Sequence, residues 1–187
     1  VNGDRVATLN DGRSFNSDIQ DAEIESLRKN GFKATTDFEQ VQEASFITIC
    51  VPTPLQKSGQ PDISYVIAAA ENVAKHVSPG STVVIESTVY PTATAQVISN
   101  VFEDNGFDIG ETIYLASSPE RVDPGNSEYT LVNIPKIVGG VTDQCSKSVV
   151  ETYDSIFDTI VPVTSSTEAE MAKILENTFR NVNIALV

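Results

Sequence analysis

TVVIESTVYPTAT, residues 82–94, is the stretch that decides the fold. Thr82, Val83, Val84 and Ile85 form an unbroken run of β-branched residues with no polar alternation, the pattern of a strand covered on both faces, as in parallel sheets flanked by helices. The strand is expected over Thr82 to Glu86, and Ser87 and Thr88 follow it. Pro91 and Thr92 then lead into an amphipathic stretch, so the segment reads as strand, rim loop and helix start. Working outward, similar apolar runs lie at 46–51 (FITICV), 113–116 (IYLA), 136–138 (KIV) and 159–163 (TIVPV), separated by amphipathic stretches. That alternation predicts βα units, an α/β fold with a doubly wound, mainly parallel sheet. A short edge strand is expected near 32–35.

Helix starts carry capping signatures. Ser17 with Gln20, Thr36 with Glu39 and Thr167 with Glu170 each fit the reciprocal capping box, in which side chains satisfy orphaned amide donors. Asp62 precedes a helix that Ser78, Pro79 and Gly80 end, and Thr142 with Asp143 opens another reaching about Phe157. No internal repeat or low-complexity tract interrupts the pattern.

With 187 residues and 40% hydrophobic content, the chain can bury one sizeable core. A net charge of -14, with only 12 Lys and Arg, excludes a general nucleic-acid binder, which needs a basic face. Cys50 and Cys145 lie far apart without a CxxC partner, and His76 is the one histidine, so no zinc-type ligand set is expected. No apolar run is long enough to span a bilayer and the N-terminal stretch is polar, so a cytoplasmic protein without membrane contact is the expectation. The chain opens without Met and its last residues, FRNVNIALV, read as mid-helix, which predicts a piece of a longer protein.

Open α/β sheets bind ligands beyond the C-terminal ends of their strands. Three loops fall there, and all should open on one rim: VPTPLQKSGQPD after Cys50, ESTVYPTAT after Ile85 and SSPERVDPGN after Leu115. Pro52 and Pro54 hold Thr53 extended, either as a rigid turn or to present its hydroxyl. The amides following Pro91 either face an anion or are simply capped. Glu120 and Arg121 form a rim salt bridge or serve a ligand. At about 100° per residue, Lys173, Asn177, Arg180 and Ile184 share one stripe of the last helix, with Met171, Leu175, Thr178, Val182 and Leu186 opposite. Such a polar stripe is either the solvated face or a clamp for something anionic. None of the ten glycines forms GxG, so the dinucleotide fingerprint is absent from this chain.

Taken in order, VNGDRVATLNDG, ATTDFE, ICVPTPL, PDISYV, VIESTVYPTAT, SSPERVDPGNSEYTLVNIPKIVGG and EAEMAKILENTFRNVNIALV resemble the N-terminal half of the UDP-glucose/GDP-mannose dehydrogenases, the nucleotide-sugar 6-dehydrogenases. PERVDPG and ENTFRNVNIA are most similar to the UDP-N-acetylmannosamine dehydrogenase branch. The resemblance implies a Rossmann-like domain over 1–164 lacking its first βα unit, then over 165–187 the start of a long connecting helix. It implies NAD as cofactor, a UDP-sugar as substrate, and two hydride transfers that turn the C6 hydroxyl into a carboxylate, with an intermediate held on a cysteine. Lys173 and Asn177 match the pair that stabilises the developing C6 oxyanion. Glu120 matches the acid of the hydrolytic step, and Thr88 the threonine that positions water or cofactor. Arg5, Val51, Pro52 and Thr53 match positions along the cofactor, and Arg121, Val122 and Arg180 positions facing the substrate. A homodimer formed beyond the long helix is implied as well.

Two departures accompany the resemblance. Pro124 stands where glucose-type relatives carry a second acid, leaving that role vacant or shifted to Asp123. Neither Cys50 nor Cys145 matches the family cysteine, which is expected beyond Val187, so these residues alone should be inactive. Two rival readings stand beside this one. A nucleotide-sugar-binding module without chemistry would lack a downstream cysteine in a Gly-rich stretch, and a 3-hydroxyacid dehydrogenase would form one NADH per substrate rather than two.

Overall fold

The computed structural model describes residues 2–16, 19–57, 59, 61–122 and 133–187. The chain forms two compact units, Val1–Gln40 and Val41–Val187. In the first, helix α1 (Gly3–Asn10) is capped by the Asn2 side chain and α2 (Asp21–Lys29) follows Gln20. The Glu23 carboxylate accepts the Gln20 N–H at 2.8 Å, so Gln20 is the cap itself; Ser17 lies outside the described residues. No strand forms at 32–35. Instead the Asn10 carboxamide takes both backbone groups of Ala34, at 2.9 and 3.0 Å, standing in for a strand partner.

The second unit follows the predicted alternation: β1 (Phe46–Ile49), α3 (Ser64–Ala74), β2 (Thr82–Ile85), a π-turn (Thr94–Ile98) running into α4 (Ser99–Glu103), β3 (Tyr114–Ser117), β4 (Lys136–Gly140), α5 (Asp143–Tyr153), β5 (Ile160–Pro162) and α6 (Ser166–Leu186). The strands lie in the order β1-β2-β3-β4-β5. All neighbours are parallel except β3 and β4, which are antiparallel. Every residue of β2 is buried, as an uninterrupted apolar strand must be. Val83, Ile85 and Leu115 pack on one face with Val66, Ala70 and Phe102, while Val84, Ala116 and Val138 pack on the other with Val149 and Tyr153.

Strand ends differ from the expected bounds by one or two residues. The larger departures concern capping. Thr36 and Glu39 form no box; Asp37 accepts the Glu39 N–H at 3.0 Å. At α6 the cap is Ser165, and Glu168 turns back to the Thr164 amide and hydroxyl. Glu170, expected to close a box with Thr167, is 1% exposed. It accepts the Thr92 N–H at 2.7 Å and the Thr94 N–H at 2.8 Å. The amides expected to face an anion at this helix start are therefore already occupied by one of the chain's own carboxylates. Thr92 sits at φ 82°, a left-handed conformation that costs a threonine about 1 kcal/mol and persists only when its surroundings hold it. Burial pushes the Glu170 carboxyl above its ordinary proton affinity, although the two amides pull the other way.

Close backbone approach fixes where α6 begins. A Cβ on Gly139 of β4 would lie 2.1 Å from the Ser165 carbonyl oxygen, so only glycine lets the helix start against the strand. Among the described residues, no helix is long and apolar enough to cross a membrane.

Glu170→Ala leaves the buried Thr94 N–H and the half-buried Thr92 N–H without acceptors, and urea unfolding should show a loss of about 2 kcal/mol. A loss below about 0.5 kcal/mol would rule out this tie. Ser87→Ala, which removes the acceptor of the Val51 N–H, is expected to cost about 1 kcal/mol and to speed amide exchange at Val51.

Candidate functional site

The ends of the first three strands meet on one rim, as parallel β1, β2 and β3 dictate. Ser87 binds the first loop to the second. Its Oγ accepts the Val51 N–H at 2.8 Å and lies 2.9 and 3.2 Å from the carbonyl oxygens of Val51 and Ile49. The extended segment after Cys50 is thereby held against the Thr88 loop. Thr53, Thr88 and Asn177 line a cleft of about 290 Å³ together with the apolar Leu55, Pro61 and Ile174. Pro52 is exposed beside it.

Glu120 stands on the third loop, tightly held. Its Oε1 accepts the N–H groups of Arg121 at 2.6 Å and Val122 at 2.7 Å, and its Oε2 takes the Lys136 ammonium at 3.1 Å. The β3–β4 register, with Ala116 opposite Gly140 and Ser117 opposite Gly139, brings Glu120 opposite Lys136 when continued. On its other side Lys136 Nζ lies 3.3 Å from Glu86 Oε2, whose other oxygen accepts the Tyr153 hydroxyl. The Lys136 side chain is only 3% exposed, with its ammonium 5.8 and 5.2 Å from the ring centres of Tyr153 and Phe157. Burial raises the proton affinity of Glu120, but the charge and hydrogen bond of Lys136 and the two amides outweigh it, leaving the carboxyl below the ordinary range. Burial and the neighbouring Glu86 push the Tyr153 hydroxyl far above its usual value, so it remains a donor.

Glu120 and Arg121 do not pair with each other. The Arg121 guanidinium grips both oxygens of Glu176 on α6, and its Nη1 donates to the Pro135 carbonyl at 2.8 Å. It thereby ties the loop to the helix. Val122 contributes its amide to Glu120.

The polar stripe of α6 turns inward. Lys173, Asn177 and Arg180 are half-buried, whereas Met171, Leu175 and Phe179 on the other side are 49%, 66% and 71% exposed. Ile184, predicted to share the polar stripe, lies beyond the packed part of the helix and is exposed. Burial, then the Arg180 charge, lowers the proton affinity of Lys173, while Glu120 and Glu176 oppose that shift. Lys173 and Glu120 thus lie within reach of each other's fields. Arg5 belongs to the first unit, where its guanidinium lies 4.8 Å over the Phe15 ring. Asp123 and Pro124 fall outside the described residues.

Neither cysteine has the surroundings of a nucleophile. Cys145 is buried, and its sulfur accepts the Leu115 N–H and the Thr142 hydroxyl. Cys50, expected inside a strand, is exposed at its end, where burial of its thiol and the charge of Glu86 raise its pKa. Lys136, Glu86, Tyr153, Glu176 and Ser87 are site residues that sequence reasoning passed over. The signal lay in PKIVGG, where a lysine heads a buried apolar run and so needs an acid nearby.

What these residues can do follows from their placement. A cation and a carboxamide one helical turn apart can converge on one oxygen, and an ionised carboxylate at the rim can take a proton from water.

Residues 1–159 match the UDP-glucose/GDP-mannose dehydrogenase family, NAD binding domain. The chain is 36% identical over 189 residues to the UDP-N-acetyl-D-glucosamine 6-dehydrogenase of Salmonella typhi, covering 100% of this chain and 44% of that protein. It is 34% identical over 191 residues to the UDP-N-acetyl-D-mannosamine dehydrogenase of Methanococcus aeolicus, covering 100% of this chain and 42% of that one. The solved structure of the UDP-D-ManNAc dehydrogenase from Pyrococcus horikoshii superposes with a TM-score of 0.89 at 34% identity, over 100% of this chain and 45% of the other. The chain therefore spans less than half the length of these relatives. The Rossmann-like fold and these similarities agree: the chain belongs to the UDP-glucose/GDP-mannose dehydrogenase family and forms its NAD-binding part.

Proposed function

We propose that the protein carrying this chain oxidises the C6 hydroxyl of a nucleotide-linked sugar, UDP-N-acetylmannosamine or a related UDP-sugar, to a carboxylate. The observation that carries the reading is that Asn177 of α6 lines one cleft with Thr53 and Thr88, while Lys173, one turn earlier on the same half-buried stripe, lies within the field of Glu120. The cleft suits one ring of a ligand, with apolar walls to cover its faces and hydroxyl and amide groups for its edge. NAD, when bound, takes a hydride from C6 in each of two steps. Thr53, Pro52 and the Val51 backbone line its path, and Thr88 orients the reacting end.

Lys173 and Asn177 hold the C6 oxygen as negative charge gathers on it, and Arg180 extends the cationic stripe toward the phosphates. A cysteine elsewhere in the protein carries the acyl intermediate. Glu120 then takes a proton from the water whose oxygen bonds to the acyl carbon as the carbon–sulfur bond breaks and the thiolate leaves. Arg121 acts through Glu176, binding the Glu120 loop to α6. The product is a nucleotide-activated sugar acid of the kind used to build polysaccharides. The protein works in the cytoplasm, and the exposed apolar side of α6, with Met171, Leu175 and Phe179, is the surface where a second copy adds.

Assayed across a panel of UDP- and GDP-sugars, the full-length protein is expected to form two NADH per sugar; one per sugar would favour a simple hydroxyacid-type dehydrogenase. Lys173→Ala should lower turnover about a hundredfold, the scale of removing one oxyanion donor, with NAD affinity largely kept. Near-normal turnover in that variant removes Lys173 from the chemistry. Glu120→Gln should stall hydrolysis, and intact mass spectrometry should then show a covalent sugar adduct.

A further inference from the structure

We propose that Lys136 is a positioning residue that fixes Glu120 at the rim and keeps it the anion that receives the proton of the hydrolytic water. The inference rests on the reading of Glu120 given above. It also follows from an arrangement which that reading does not require. Lys136 is the first residue of a buried strand, and its ammonium lies between two carboxylates, Glu120 at 3.1 Å and Glu86 at 3.3 Å.

One cation against two anions leaves one negative charge over, and the geometry decides where it resides. Glu86 is 16% exposed and donates nothing to the rim, since its second oxygen is bound by the Tyr153 hydroxyl. Glu120 is 35% exposed, so of the two carboxylates it is the one that solvent can reach. Its two oxygens also differ. Among the described residues Oε1 accepts two amide N–H groups, whereas Oε2 accepts only Lys136. A carboxylate oxygen has two lone-pair directions, which leaves Oε2 one for a water. The lysine thus orients the carboxylate through the same oxygen that does the work.

The groups facing this pair come from every packed element. β1 contributes the Cys50 thiol, with Sγ 3.9 Å from Glu86, and β2 contributes Glu86. α5 contributes Tyr153, and α6 contributes Lys173, whose charge couples to Glu120, along with Glu176 behind Arg121. Of the two ammonium groups, only Lys136 touches the Glu120 carboxylate, and only Lys136 is shut away from solvent screening. The consequence has a definite sign. With the cation present Glu120 remains ionised to lower pH, so hydrolysis persists into acid. Without it, Glu120 protonates earlier and the acid limb moves up.

The test uses the full-length protein with NAD and UDP-N-acetylmannosamine, following breakdown of the covalent adduct, formed at neutral pH and then jumped to the test pH, by quench and intact mass between about pH 3 and 9.5. The preceding NADH burst serves as internal reference. Lys136→Met, read against its own NADH burst, should slow adduct breakdown about tenfold at the acid end of the range and approach wild type near pH 9. Lys136→Arg, which keeps the charge, should restore the acid limb. Glu86→Gln should move that limb the opposite way, to lower pH, because the ammonium then serves Glu120 alone. Since Lys136→Met strands a buried Glu86 and can fail to fold, Glu86→Gln decides the matter by itself in that event. A limb unmoved in Glu86→Gln, or in a folded Lys136→Met, overturns the proposal provided Glu120→Gln does stall breakdown. If Glu120→Gln breaks the adduct down at the wild-type rate, the assignment of Glu120 is what fails, a separate result.

Discussion

Everything at the rim depends on the Glu170 carboxylate. It sits in the first turns of α6, almost wholly buried, and accepts the amides of Thr92 and Thr94, from the loop that also carries Thr88. Two charge-assisted hydrogen bonds in a dry setting define a distance and an angle, which apolar contact alone does not. They set α6 against the strand ends, and the close approach at Gly139 sets its height. Only with both constraints does the helix turn Lys173 and Asn177 inward and leave Met171, Leu175 and Phe179 outside. A helix start that looked prepared for a ligand anion has been used to build the site.

The opposite charges of Glu120 and Arg121 are directed to different partners. Arg121 is committed to Glu176 and Glu120 to Lys136, so two oppositely charged neighbours in sequence serve different partners. The first pair joins the loop to α6. The second joins it to the sheet. A carboxylate held from both directions loses little further freedom when a reaction calls on it, which is the physical content of preorganisation. The net acidity of the chain does not oppose this arrangement, because the local field at the site is set by buried ammonium and guanidinium groups within a few ångströms.

Much of the fold was legible because it rests on local pattern. Thr82 to Ile85 could only be a strand covered on both faces, and Thr142 caps α5 through the Cys145 N–H as its position suggested. Errors came where a side chain serves a distant backbone. Ala34 is satisfied by Asn10 rather than by a strand, and Glu170 by Thr92 and Thr94 rather than by its own helix start. A capping box and a long-range carboxylate tie present the same letters in sequence, and only the folded chain distinguishes them.

By itself the sequence determined the alternation of strands and helices and the three loops that follow strand ends, since periodicity and residue type are local properties; Lys173, Asn177, Glu120 and Thr88 were singled out by their match to the family motifs. The direction in which α6 turns its stripe was decided by tertiary structure. So was the partner of each charge. The reversal between β3 and β4 is the clearest case: in an all-parallel sheet Lys136, at the start of its strand, would lie at the far edge from Glu120, but the antiparallel step brings it to the same rim. Strand direction is a relation between segments, set by which edges can pair and bury their faces, and no spacing within either segment encodes it.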